Sequence, residues 1–388
     1  MTSAPLQAAE LIALIRRVFA PTPDDSRIAI LVDVPDAALP DNPDWATRRA
    51  MAADWAAQLQ ANRDALGLDV DLYAYRNAGT NNADLPATMQ RCAPDAMPTD
   101  TAALDPAAAV AVAEVAATHS ILIAPTELSA TAPLKLLART HGFRAATMPG
   151  FSASMIPALR LDYGEVRRRV RALKSLVDRA DRAELTFVVD GRDTHTLTLD
   201  LRHRTGHASD GVLDTPGTAG NVPSGEAYIV PYEGEVAGDP SGTHGTLPVQ
   251  FGAAVAYFHI ERNRAVRVSG EAPAAAEHAA WLEREPAYGN IAELGLGVLA
   301  ELGVKPVGEL LLDEKLGLHV AFGRSDHFGG QVGAAQFSHA GAVVHIDRVY
   351  LPELQPRVAP RAVDLVFADG SRLALMRDGA YADGVFGR

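Results

Sequence analysis

Two rhythms of apolar residues alternate along the first half of the chain. The run "RIAILVDV" (27–34) is rich in Ile and Val and is stopped by Pro35, the mark of a buried strand. "PDWATRRAMAADWAAQLQANRDALG" (43–67) spaces its apolar residues at the helical period and closes at Gly67, a residue that takes the left-handed turn ending a helix at little cost. "DVDLYAYR" (69–76) alternates as a strand does, and the pattern repeats with a helix over 105–119, a strand over 120–125, a helix over 132–142 and a strand over 144–150. Ahead of them Leu11, Ile12, Leu14, Ile15 and Phe19 form one stripe of an amphipathic helix. Strand following helix in this way predicts an α/β N-terminal domain with a mostly parallel sheet and helices on both faces.

After a basic amphipathic helix at 162–183 the texture changes. Arg167, Arg168, Arg169 and Arg171 of that helix read as a solvated face. "AELTFVVDGRDTHTLTLDLRHR" (183–204) is a hairpin pattern turning at Asp190-Gly191. Short strands with occasional helices follow, which predicts an α+β domain over 181–388 behind the α/β domain of 1–180.

Composition narrows the functions open to the chain. Its 388 residues carry a formal charge of −13, which disfavours a phosphate backbone as partner and argues against nucleic acid. The single cysteine, Cys92, allows no disulfide framework and no thiolate zinc site, and it reads as a loop residue with no histidine nearby. No stretch of eighteen apolar residues runs without a charge and the N-terminus lacks a basic segment before an apolar one, so a cytoplasmic protein without a membrane span is expected. No phosphate-binding loop, zinc-protease helix or nucleophile elbow is present. "GFSAS" (150–154) misses the elbow, and "GLGVLA" (295–300) matches a dinucleotide fingerprint outside the strand-to-helix setting that would give it meaning.

The second half holds a more informative set. Glu226, Glu293, His319, His345 and Asp347 sit inside the most apolar or glycine-rich stretches after residue 220. His345 and Asp347 are two apart in "VVHIDRVY", so on a strand they share a face. Each residue alone has an ordinary explanation as a hydrated turn, strand or core residue. Three carboxylates and two imidazoles buried together do not, because the anions repel and neutral imidazoles do not cancel them; one or two divalent cations do.

The blocks "NVPSGEAYIVP", "NIAELGLG", "LLDEKLGLHVAFG" and "VVHID", in that order, resemble those of the aminopeptidase T family of metallopeptidases, and the likeness covers residues 180–385. The resemblance implies a homodimer acting on a peptide or other small-molecule substrate. It implies two metal ions (Zn, Co or Mn) held by Glu226, Glu293, His319, His345 and Asp347, with Glu293 bridging them, and hydrolysis of an amide or N-terminal peptide bond by a metal-activated water. Where the family has a tyrosine, this chain has Asp326 followed by His327, so Asp326, His327 or Glu293 is the candidate proton carrier. The superfamily also contains dihydroxypyridine dioxygenase, a mononuclear Fe(II) ring-cleaving enzyme. That alternative needs a triad such as His319, His345 and Asp347, and a histidine stands there where this chain keeps Glu293. A third possibility is a non-catalytic binding protein on the same fold.

Overall fold

Apolar strands joined by helices of the right length build a parallel sheet, and this one begins with Arg27–Val34 paired in parallel along all eight residues with Asp69–Arg76. The computed structural model describes residues 3–387. They form two compact units: the chain up to Tyr163 with Gly211–Ser224, and Gly164–Asp210 with Gly225 onward. The boundary expected at 180 thus differs from the observed division, which falls after Tyr163 and returns a short later segment to the first unit.

The first unit is a seven-stranded sheet in the order Ala219–Asn221, Arg144–Thr147, Ile121–Ala124, Arg27–Val34, Asp69–Arg76, Thr88–Cys92, Ala109–Ala111. The first five strands pair in parallel and the last two pairings are antiparallel, so the sheet is mostly parallel as expected. One face packs Ala29, Leu31, Tyr73 and Leu122 against Val115, Leu134 and Ala138 of two helices. On the other face the N-terminal stripe (Leu11, Leu14, Ile15, Phe19) and Trp55 and Leu59 meet Ile30 and Ile123. The helix expected over 105–119 is Val112–Thr118 only, because Ala109–Ala111 pairs with Thr88–Gln90 instead: strand pairing overrides the helix preference of alanine. Cys92 ends a strand rather than lying in a loop, and it is buried.

The second unit contains two antiparallel sheets. The larger has eight strands and includes the hairpin Ala180–Val189 and Asp193–Asp200, with its turn at Asp190-Gly191 as the pattern predicts. The smaller has five strands: β1 (His207–Ser209), β2 (Glu226–Ile229), β3 (Ile291–Gly297), β4 (Leu318–Gly323) and β5 (His345–Val349), in the order β5-β4-β3-β2-β1. The arginines of the helix Tyr163–Val177 are ion-paired: Arg167 and Arg171 with Asp210, Arg168 and Arg169 with Glu165, and Arg169 also with Glu301. Among the described residues no helix is long and apolar enough to cross a membrane.

Candidate metal centre

Side chains on a strand alternate between faces, so register decides which residues meet. In the five-stranded sheet Glu226 lies opposite Ser209 and Gly297, Tyr228 opposite His207 and Gly295, and Gly295 opposite His319. Glu293 lies opposite Ala321, which is opposite Asp347, and Gly323 is opposite His345. All five nominated residues therefore stand on one face, each with a glycine or alanine as a cross-strand neighbour. The small residues are clearances. A Cβ built on Gly295 would lie 1.8 Å from Nε2 of His319, so the imidazole occupies the space that a side chain would need. Gly295 and Gly297 belong to "GLGVLA", whose glycines thus end a strand and make room; no α-helix opens there.

The five residues form two groups within metal-ligating reach: Glu226, Glu293 and His319, and Glu293, His345 and Asp347. Glu293 belongs to both. Its Oε1 lies 3.3 Å from Nε2 of His319 and its Oε2 3.3 Å from Nε2 of His345. Asp347 Oδ1 is 3.5 Å from Nε2 of His345 and 4.0 Å from that of His319.

The other imidazole nitrogens fix the tautomers. Nδ1 of His319 donates to the carbonyl of Gly317 (3.3 Å) and Nδ1 of His345 to that of Arg324 (2.7 Å). A carbonyl can only accept, so each Nδ1 carries a proton and each Nε2 of a neutral ring turns a lone pair toward carboxylate oxygens. That repulsion is relieved by a proton or a cation between them. The donor set suits a divalent metal in both groups, and Glu226 supplies a further sign: its Oε2 is buried with no hydrogen-bond partner, 3.5 Å from His319 Nε2.

Solved enzymes share this fold. The structure of 2,5-dihydroxypyridine dioxygenase from Pseudomonas putida KT2440 aligns over 99% of this chain and 100% of its own, with a TM-score of 0.60 and 16% identity. Wild-type AmpT, an aminopeptidase T from Thermus thermophilus, aligns over 97% and 98%, with a TM-score of 0.55 and 14% identity. At these identities the likeness is one of fold, and it extends equally to a hydrolase and an oxygenase. No protein-family model matches the chain, and no curated protein matches it in sequence.

Several residues of this face escaped the reading of the sequence. Lys315 is buried and its Nζ donates to Glu226 Oε1 (2.5 Å) and to Glu314. His207 donates from Nε2 to the carbonyl of Phe328 (2.8 Å) and stacks on Tyr228, while the Phe328 ring stands edge-on to Tyr228 and His345. Glu233 anchors the same segment by accepting from Ser325 Oγ (2.6 Å), the Gln331 amide and Asn290 Nδ2 (2.8 Å). The signal for Lys315 was present, since a lysine in "LLDEKLGLHV" interrupts an apolar run as the histidine does. Of the two residues at the family's tyrosine position, Asp326 accepts from Arg324 Nε (2.6 Å) and belongs to neither ligand group. His327 lies edge-on to His345, with ring centres 5.4 Å apart.

Burial and charge pull these groups apart. Burial lowers the pKa of His319, but the carboxylates of Glu293, Glu226 and Asp347 outweigh it and carry it up to about 9. His345 is raised in the same way by Asp347 and Glu293. Burial pushes Glu314 up to about 8 despite the Lys315 ammonium, and it also raises Glu226. A group whose pKa is raised in the fold holds its proton more tightly there than in the unfolded chain. For His319 this contribution is complete below about pH 6.5 and disappears as pH climbs through about 9. Glu314 acts in the same direction, fading from the ordinary glutamate range upward through about 8. Chelator-treated protein is therefore expected to melt at progressively lower temperature from pH 6.5 to 9. Added Zn²⁺ should reverse the trend, since ion binding displaces these protons and strengthens as they leave. Melting curves with and without chelator check this, and a flat chelator-treated profile would contradict the packing of imidazoles against carboxylates.

Proposed function

We propose that this chain is a metal-dependent hydrolase that cleaves amide or N-terminal peptide bonds at a two-ion centre. The observation that carries the reading is Glu293, with one carboxylate oxygen toward each of two imidazoles and membership in two separate ligand groups. A bridging carboxylate is what a pair of ions needs and a single ion does not. The example triad for the mononuclear iron alternative, His319, His345 and Asp347, is not one of the two groups found among the described residues.

On this reading Glu226, Glu293 and His319 would hold one ion, and Glu293, His345 and Asp347 the other. When bound, the ions supply Lewis acidity toward a carbonyl and a water that ionises near neutrality. The chain supplies the rest. The carbonyls of Gly317 and Arg324 hold His319 and His345 with Nε2 inward. The Phe328 ring stands edge-on to His345 and to Tyr228 and borders the face beside His345. His327, partly exposed, edge-on to His345 and 3.5 Å from Asp326, is the proton carrier to the leaving amine, and Asp326, which Arg324 also engages, backs it.

The test is metal analysis of purified protein together with a panel of aminoacyl amides, dipeptides and cyclic amides assayed with Zn²⁺, Co²⁺ or Mn²⁺. Two ions per chain and amide cleavage are expected. One iron per chain, with oxygen uptake on dihydroxylated aromatic rings, would replace this reading with the dioxygenase. Stable protein that takes up no metal would leave only a binding role.

A further inference from the structure

One short turn makes the placing contacts to Glu226 and His319. The 3-10 turn Glu314–Leu316 and Gly317 dock on the end of β3 by main-chain bonds: Gly297 N donates to Gly317 O and Leu299 N to Lys315 O, both at 2.9 Å. Gly297 permits the approach, since a Cβ there would lie 2.2 Å from the Lys315 carbonyl carbon. From this turn Gly317 holds His319 through Nδ1, and Lys315 holds Glu226 through Oε1. Two of the three residues in the Glu226, Glu293, His319 group are thus placed by one turn. The other half takes its orientation elsewhere, His345 being held by Arg324.

We propose that Lys315 is the positioning residue of the Glu226 half of the centre. By occupying Oε1 it turns Glu226 so that Oε2, buried and without a hydrogen bond, is the single oxygen offered to an ion beside Glu293 and His319. An ammonium this close also repels a cation, which opposes the benefit of orienting Glu226. Lys315 is shared between Glu226 and Glu314, and its ion pair with Glu226 offsets its charge. Its orienting effect therefore wins, and removing it weakens the ion's site. The proposal rests on the two-ion reading above.

The experiment is Zn²⁺ titration against a chromophoric chelator, with metal content by elemental analysis, on wild type, Lys315→Met, Glu226→Gln and His345→Ala. Lys315→Met is expected to weaken one of two sites by about 10–100-fold, the scale seen when the partner orienting a metal ligand is lost. The weakened site should be the one that Glu226→Gln loses, with the His345 site within about threefold of wild type. That unchanged second site separates positioning from a general loss of fold. Lys315→Gln, which keeps a donor, is measured as well and decides the matter if the methionine variant does not fold; its affinity should fall between the two. Both ions binding Lys315→Met and Lys315→Gln as tightly as wild type, or tighter, overturns the proposal and leaves the two-ion reading intact. Fewer than two ions on saturated wild type overturns both.

Discussion

Glu293→Gln is expected to remove both ions at once and to lower amide hydrolysis by at least about 10³-fold, the several kcal/mol of charge stabilisation that bound metal supplies. The other ligands belong to one group each, so replacing any of them should spare one ion; Glu293 alone belongs to both. The substitution is mild in shape. A glutamine amide donates to one imidazole Nε2 and leaves its oxygen toward the other, so the side chain still fits between His319 and His345. It also deletes a buried negative charge that holds the His319 and His345 protons in metal-free protein, a loss that outweighs the repulsion from Asp347 that it relieves. Metal-free Glu293→Gln should accordingly melt below metal-free wild type. The rise in melting temperature that Zn²⁺ gives wild type, set by RT ln(1 + [L]/Kd), should vanish in the variant. Differential scanning calorimetry with and without Zn²⁺, beside elemental analysis, reads both quantities. A variant that still holds one ion would show that Glu293 serves one group only.

The metal-ligand candidates were legible because burial leaves a trace in sequence. A glutamate inside "NIAELGLG" or a histidine inside "KLGLHVAFG" is flanked by residues that have no reason to be exposed, and Glu293 and His319 are indeed buried. The i, i+2 rule brought His345 and Asp347 to one face, and β5 is the strand that the rule requires. What could not be read depends on register across strands. Nothing local says that Gly295 lies opposite His319, or that Lys315 reaches back 89 residues to Glu226. The strand Ala219–Asn221 was invisible for a related reason. "TAGNV" has no apolar alternation, and its backbone extends because it pairs with Arg144–Thr147. Ala109-Val110-Ala111 misleads in the opposite sense, toward helix, because the alanine-rich run around it carries a helix preference.

The second large effect is expected from a residue that touches no ion. Gly295→Ala adds one methyl group, but the site for it is taken: the new Cβ would lie 1.8 Å from Nε2, 2.1 Å from Cε1 and 2.4 Å from Cδ2 of His319. Either the imidazole or the strand must move. β3 is held by β2 on one side and β4 on the other, so it is the ring that gives way. Moving the ring breaks the Nδ1 bond to Gly317 and takes Nε2 away from Glu293 and Glu226. Overpacking of a filled site costs about 1–3 kcal/mol. For metal-free protein that loss should appear directly as a lower melting temperature. For metal-loaded protein the larger loss is of the ion between Glu226, Glu293 and His319, so bound Zn²⁺ should fall from two per chain to one. The His345 and Asp347 side, on β5 opposite Gly323 and Ala321, which lie four and two residues beyond His319 on β4, should keep its ion. Elemental analysis and calorimetry on the variant decide the matter. A Gly295→Ala protein with two ions and wild-type stability would mean that His319 does not lie over this glycine, and the assignment of the Glu226 half would fall with it.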